Sequence, residues 1–136
     1  MKRLVKVLAK KDEKIIIIEQ FRKQINKTTI ELPGGNVESR ETVTEAAKRE
    51  LREETGIVSN AFINLGTYID DTGTIEVNLF FTNSIEKIEN QNLDRDESIN
   101  VQSHPLHLVY QKLFTGEWND IRLGMALLIA KEKGLL

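Results

Sequence analysis

The sequence predicts an α/β fold, a mixed β-sheet with helices on its faces. Three observations carry this. Ile15 to Ile18 is an unbroken β-branched run, the pattern of a buried strand. Thr74 to Thr82 alternates, with Ile75, Val77, Leu79 and Phe81 on one side, the pattern of a strand with one buried face. Between them, Glu41 to Glu54 has the spacing of an amphipathic helix. Strands, then a helix, then strands, then helices is the order of a layered mixed sheet.

The elements follow in chain order. Arg3 to Ala9 alternates, with Val5 and Val7 opposite Leu4, Lys6 and Leu8. Lys10 to Lys14 is a charged turn, so this segment and Ile15 to Ile18 form a hairpin. Thr28 to Leu32 is a short strand stopped by Pro33. Pro33-Gly34-Gly35 is a turn before the helix, and Gly56 is its natural C-cap. Ala61 to Ile69 alternates as a strand, and Asp70-Asp71-Thr72-Gly73 turns the chain into the next one. Glu89 to Ser98 is polar and acidic, a loop. Pro105 to Phe114 and Asp120 to Lys133 are amphipathic helices, with Ser103 or His104 expected to cap the first and Asn119 the second.

A length of 136 residues is that of one domain, residues 1–136. A formal net charge of −2 gives no broad basic surface, so no nucleic-acid partner is expected. The absence of cysteine excludes a disulfide framework, a thiol nucleophile and cysteine metal sites. The start MKRLVKVLAKKDEK lacks the apolar core of a signal peptide, and no run is long enough for a membrane span. A cytoplasmic protein with no membrane partner is the expectation.

The chemistry concentrates in Gly35 to Ile57, GNVESRETVTEAAKRELREETGI. A helix turns about 100° per residue, so with Glu50 at zero, Glu53 lies at roughly −60° and Glu54 at roughly +40°. Three carboxylates thus share one side of a helical end, below Val43, Ala46 and Ala47. Partly buried like charges raise one another's pKa or recruit a counter-ion, and oxygen ligands of this kind suit Mg²⁺ or Mn²⁺. A run of glutamates alone is more often a solvated face. The flanking glycines change that, because nine specified positions coincide by chance with odds on the order of 10⁻⁸.

The segment resembles the Nudix box, G-x5-E-x7-R-E-U-x-E-E-x-G-U with U a bulky aliphatic. Gly35, Glu41, Arg49, Glu50, Leu51, Glu53, Glu54, Gly56 and Ile57 meet every specified position. The resemblance implies an α/β/α sandwich and hydrolysis of a nucleoside diphosphate linked to another group, with divalent cations as cofactor. By the same resemblance Glu50 and Glu54 are the leading metal ligands, Glu53 a third, and the Gly34 carbonyl a further one. The Gly34-Gly35 turn lets the backbone approach metal and substrate closely. Arg49 lies one turn from Glu45 and Glu53 and can pair with either; holding Glu53 is the preferred role. Glu41, at the helix start, is read as structural.

Ile18-Glu19-Gln20-Phe21-Arg22 followed by Glu31-Leu32-Pro33-Gly34-Gly35 resembles the ADP-ribose pyrophosphatase branch of that family. This makes Arg22 a candidate substrate-binding residue; the alternative is an exposed arginine at a strand end. Asp96-Glu97-Ser98-Ile99 resembles the branch's loop pattern, so Glu97 is a candidate metal ligand or general base, with Asp94 and Asp96 as neighbours able to substitute. Tyr68 to Thr74 lacks the proline that many members of the branch carry after the box. ADP-ribose is the favoured substrate, and oxidised nucleoside triphosphates or a non-catalytic nucleotide-sensing module are the alternatives. Phe80, Tyr110 and Trp118 are candidate base-stacking residues, with packing as the alternative; His104 and His107 are left without a role. A homodimer is expected, through pairing of an exposed edge of the amino-terminal hairpin.

Overall fold

The hairpin forms as its pattern requires. In the computed structural model, which describes residues 1–136, β1 (Lys2–Lys11) runs into β2 (Lys14–Arg22), with Lys11 opposite Lys14. The two turn residues, Asp12 and Glu13, have φ of 51° and 62°, the mirror-image turn that matches strand twist. After a 3-10 turn at Lys23–Ile25 come β3 (Lys27–Glu31) and β4 (Gly34–Asn36). Then follow α1 (Val43–Thr55), β5 (Ile57–Val58), β6 (Ala61–Ile69), β7 (Ile75–Ser84), β8 (Lys87–Ile88), β9 (Ile99–Pro105), α2 (Leu106–Phe114) and α3 (Ile121–Glu132).

The large sheet is mixed. Its order is β3-β2-β1-β7-β6, with β4 added to β1 and β9 added to β2; β1 and β7 are parallel and the other pairs antiparallel. Period-2 alternation sends Val5, Val7 and Ala9 to one face, where Ile16 and Phe80 join them against Ala46, Ala47 and Leu51 of α1. Leu8, Ile15, Ile17, Val77, Leu79 and Phe81 face the other way, against Val109 of α2 and Leu123, Ala126, Leu127 and Ala130 of α3. The result is the α/β/α sandwich that the resemblance implies.

Residues 99–105 are a strand, paired with Lys14–Gln20, where the sequence pattern assigned no element before Pro105. Three local expectations need correction. Neither Ser103 nor His104 caps α2, because both lie in that strand and the helix follows Pro105 directly. The cap of α3 is Asp120 rather than Asn119: its Oδ1 accepts from Arg122 N at 3.2 Å. Its Oδ2 is buried without a partner. Lastly, the hairpin has no exposed edge. β1 is flanked by β2, β4 and β7, and β2 by β1, β3 and β9, so a homodimer cannot form there by strand pairing.

One ionic cluster ties β1, β2 and β3 together. Lys6, only 3% exposed, donates from Nζ to Glu31 Oε1 at 3.0 Å and to the Leu32 carbonyl at 3.1 Å. Arg22 clamps the same carboxylate, Nε to Oε2 at 3.0 Å and Nη2 to Oε1 at 2.7 Å, and the Thr29 hydroxyl donates to Oε2. Burial by itself pushes Glu31 up. The Arg22 hydrogen bonds, the Lys6 charge and the Thr29 hydroxyl outweigh it and hold the carboxyl at about 2.

α1 is defined at both ends. Thr42 Oγ1 accepts from Glu45 N at 3.1 Å, and Glu45 Oε1 accepts from Thr42 N at 3.0 Å, a capping box that starts the helix one residue after Thr42. Gly56 ends it with φ 77°, and a Cβ there would collide with the Glu89 carbonyl.

Two stability predictions follow from these contacts. Gly56→Ala is expected to cost about 2 kcal/mol, from left-handed strain plus that collision; urea unfolding with an unchanged midpoint would refute it. Glu31 has a folded pKa of about 2 against an ordinary 4.5. Its contribution, about 3 kcal/mol, is therefore present above pH 4.5 and lost as pH falls through 2. The stability gap between the parent and Glu31→Gln should shrink over that range; a gap equal at pH 7 and pH 2 would exclude it.

Candidate active site

The cleft is built where β4 lies between β1 and α1. Pro33 O accepts from Val7 N at 2.8 Å, which fixes β4 beside β1. Gly34, the next residue, turns its amide to the other edge and donates to Glu54 Oε1 at 2.7 Å. Gly34 and Gly35 form a strand rather than the expected turn, and neither has positive φ. They are glycines for lack of room. A Cβ on Gly34 would collide with the Val5 carbonyl and stand 2.8 Å from Lys6 Cδ; a Cβ on Gly35 would stand 2.6 Å from Glu50 Cδ.

α1 brings its three glutamates to this strand in different states. Glu54 is 3% exposed, and its carboxylate holds the Gly34 amide. Burial is the main cause that lifts it to about 8; the Glu50 and Glu97 charges add, while the Gly34 amide and Lys6 oppose. Glu50 is raised by burial, and by the charges of Glu53 and Glu97, against the Arg49 hydrogen bond. Glu53, more open to solvent, is raised by burial and by Asp94.

Arg49 is the clamp. Its Nε and Nη2 bind Glu41 at 2.7 and 2.9 Å, and Nη2 also donates to Asn36 O at 2.9 Å. Its Nη1 reaches Glu50 at 2.9 Å and Glu53 at 3.3 Å. Its pKa is raised, first by the Glu41 hydrogen bonds. The expected contact with Glu53 is present but secondary, and Glu45 is turned to Thr42 instead. Glu41 lies before the helix and accepts from Glu38 N at 3.0 Å, which supports its structural reading. Arg49 thus supplies a cation to Glu50 and Glu53, and no cationic side chain is hydrogen-bonded to Glu54. No three acidic or imidazole side chains are gathered tightly enough in this arrangement to enclose a metal.

The acidic loop closes the far side. Glu89 N donates to Gly56 O at 2.7 Å, Asn92 N to Glu53 O at 2.8 Å, and Gln91 Nε2 to Glu54 O at 2.7 Å. These bonds satisfy carbonyls at the end of α1 and fasten the loop to the helix. Glu97 N donates to Asp94 O at 3.0 Å, and Glu97 Oε1 accepts from Asp94 N at 2.9 Å. The charge of Glu97 acts on Glu50, Glu54 and Arg22, which puts the loop near them. Asp94 acts on Glu53, and Asp96 is exposed. Arg22 stands at the end of β2, half-exposed, with the charges of Glu54 and Glu97 acting on it.

Reading the sequence alone did not assign Gln91, Lys6 or Glu31. Glu31 was visible beside Pro33-Gly34-Gly35; the other two carry no local signal. The aromatic candidates do not enter the cleft. Phe80 is core, edge-on to Phe62 at 6.3 Å. Trp118 is buried against His104 at 5.1 Å, and Tyr110 packs on the core with Lys131 over its ring at 5.7 Å. His104 bonds Gln102 at 2.8 Å, and His107 is exposed.

Comparison with known proteins shows the family and the fold. Residues 3–125 match the NUDIX domain model. An ADP-ribose pyrophosphatase of Bacillus subtilis is 32% identical over 127 residues, 90% of this chain and 69% of that protein. An uncharacterized Nudix hydrolase of Schizosaccharomyces pombe is 34% identical over 120 residues, 80% of this chain and 58% of that one. The crystal structure of an ADP compounds hydrolase superposes with a TM-score of 0.85 at 22% identity, over 99% of this chain and 76% of the other, a likeness of fold. The chain belongs to the NUDIX domain family and is a Nudix hydrolase.

Proposed function

We propose that this chain, working as one Nudix unit over residues 1–136, hydrolyses ADP-ribose to AMP and ribose 5-phosphate with Mg²⁺. The observation that carries the reading is Glu54. It is almost wholly buried beside Glu50, and the one hydrogen-bond partner of its carboxylate is a neutral amide. Buried carboxylates without a bonded cation are suited to a divalent ion, and an all-oxygen donor set favours Mg²⁺, with Mn²⁺ the nearest substitute.

Glu50 and Glu54 would hold the ion, with the Gly34 carbonyl as a further ligand, and its binding would have to draw in Glu53 and Glu97, which are not gathered around one point in this arrangement. Bound there, a divalent ion neutralises diphosphate oxygens and acidifies a coordinated water. The chain's own groups do the rest. Arg49 holds Glu50 and Glu53 in position. Gly35 leaves the space that the Glu50 carboxylate and a phosphate need. Arg22 offers the N–H groups that Glu31 does not occupy to the diphosphate. Glu97, on a loop anchored to α1, is the group assigned to take a proton from the attacking water. The choice of ADP-ribose rests on Arg22 standing beside the Glu31-to-Gly35 segment, as in that branch of the family. The Bacillus subtilis relative supports it. No helix is long and apolar enough to cross a membrane; the proposed setting is the cytoplasm, with a small nucleotide as partner and no nucleic acid.

Homodimerisation is part of the proposal, with its route revised. β6 ends the sheet, and its nine residues, AFINLGTYI, include no charge to discourage a second copy.

AMP release from ADP-ribose with Mg²⁺ should fall by about 100-fold or more in Glu54→Gln. Equal rates would refute the site, and tight binding without turnover in any divalent metal would identify a sensing module instead. Faster turnover of an oxidised nucleoside triphosphate in the same assay would replace the substrate. Light scattering should give the mass of two chains, and the mass of one chain excludes the dimer.

A further inference from the structure

We propose that Glu31 and Lys6 are positioning residues that turn Arg22 into a fixed, positively charged edge of the cleft for the substrate's diphosphate. This rests on the substrate role of Arg22 proposed above. The geometry separates three tasks. Glu31 binds Arg22 through two parallel N–H bonds, at 3.0 and 2.7 Å, which fix the plane of the guanidinium as well as its place. A guanidinium carries five N–H groups, so three remain for a ligand. Arg22 is the half-exposed member of the cluster, and the Glu54 and Glu97 charges reach it.

Lys6 answers a different need. A carboxylate bound to Arg22 alone would cancel its charge. Lys6 shares Glu31 Oε1 at 3.0 Å, so two cations serve one carboxylate and the cluster keeps one net positive charge. Lys6 cannot meet a ligand itself, because its side chain is buried and its ammonium is held by Glu31 and by the Leu32 carbonyl at 3.1 Å. Its effect reaches a ligand only through Arg22. Thr29, whose hydroxyl donates to Glu31 Oε2, completes the fixing of the carboxylate.

The test compares the parent with Arg22→Gln, Arg22→Lys, Glu31→Gln, Lys6→Met and the double variant Lys6→Met/Glu31→Gln. The double variant removes both buried charges together, so no lone ion is left to unfold the chain. Two quantities are read: kcat and KM for ADP-ribose with Mg²⁺, and the affinity for inorganic pyrophosphate by calorimetry. Glu31→Gln and the double variant should raise KM about tenfold and weaken pyrophosphate to the same degree, with kcat changed much less. Lys6→Met should also make KM less sensitive to salt. Arg22→Lys keeps the charge but not the paired bonds, and should not rescue Arg22→Gln. KM and pyrophosphate affinity unchanged in Glu31→Gln and the double variant, while Arg22→Gln weakens both, would overturn the positioning role and leave the function reading intact. Unchanged values in Arg22→Gln would remove Arg22 from the site and the proposal with it. If the parent releases no AMP, the substrate reading fails, and the pyrophosphate affinities still decide the positioning role.

Discussion

Glu54 reaches across 2.7 Å to the amide of Gly34, and the cleft depends on that contact. It joins the last turn of α1 to the one strand that lies between α1 and β1. It forms only because that strand has no side chains in the way. On one side the Val5 carbonyl and Lys6 lie against Gly34; on the other the Glu50 carboxylate lies against Gly35. Two glycines at negative φ are unusual as a requirement, since glycine is more often needed for a left-handed backbone. Here the requirement is one of volume. The backbone must come within bonding distance of acids that are themselves buried.

Charge balance around that contact follows from position. Two opposite charges 4 Å apart interact by about 4 kcal/mol at an effective dielectric of 20, enough to decide where buried acids find partners. Glu41, Glu50 and Glu53 all find Arg49, a single guanidinium with enough donors for three carboxylates and a carbonyl. Glu31 finds Lys6 and Arg22, and is held at about 2. Glu54 stands between these two cationic centres with no ion pair to either and rises to about 8. The same fold therefore pushes two buried glutamates in opposite directions, according to which cation each can touch.

The helix, the sheet faces and the positions of Glu50, Glu53 and Glu54 were legible because they rest on short-range periodicity. Period 2 placed Val5 and Val7 against α1 and Leu8 against α3, and period 3.6 placed the glutamates. Partners distant in sequence were not legible. Arg49 was expected to pair within its helix, one turn away. Its main partner is Glu41, eight residues back, because the capping box at Thr42 leaves Glu41 outside the helix, free to fold over it. Lys6 sat on the expected face, but a strand lysine is ordinarily read as exposed; its partner lies 25 residues on. β9 was hidden by composition. Gln102 and His104 occupy one face, where apolar residues would mark a strand, and are accommodated by Glu19 and Trp118.

The loop after β8 shows how a polar, solvent-facing segment can still be held in place. Loops with few apolar contacts are usually the first parts of a fold to open. This one carries Glu97, yet it is bound to Gly56, Glu53 and Glu54 through their carbonyl oxygens, groups that a helix end leaves without internal partners. Gln91 makes the connection double, since its amide also donates to Ile99 O at 3.2 Å, where β9 begins. The end of α1 and the start of β9 therefore hold the loop from both sides. Glu97 itself bonds only to Asp94 within the loop, so its place near Glu50 and Glu54 follows from these anchors on either side of it.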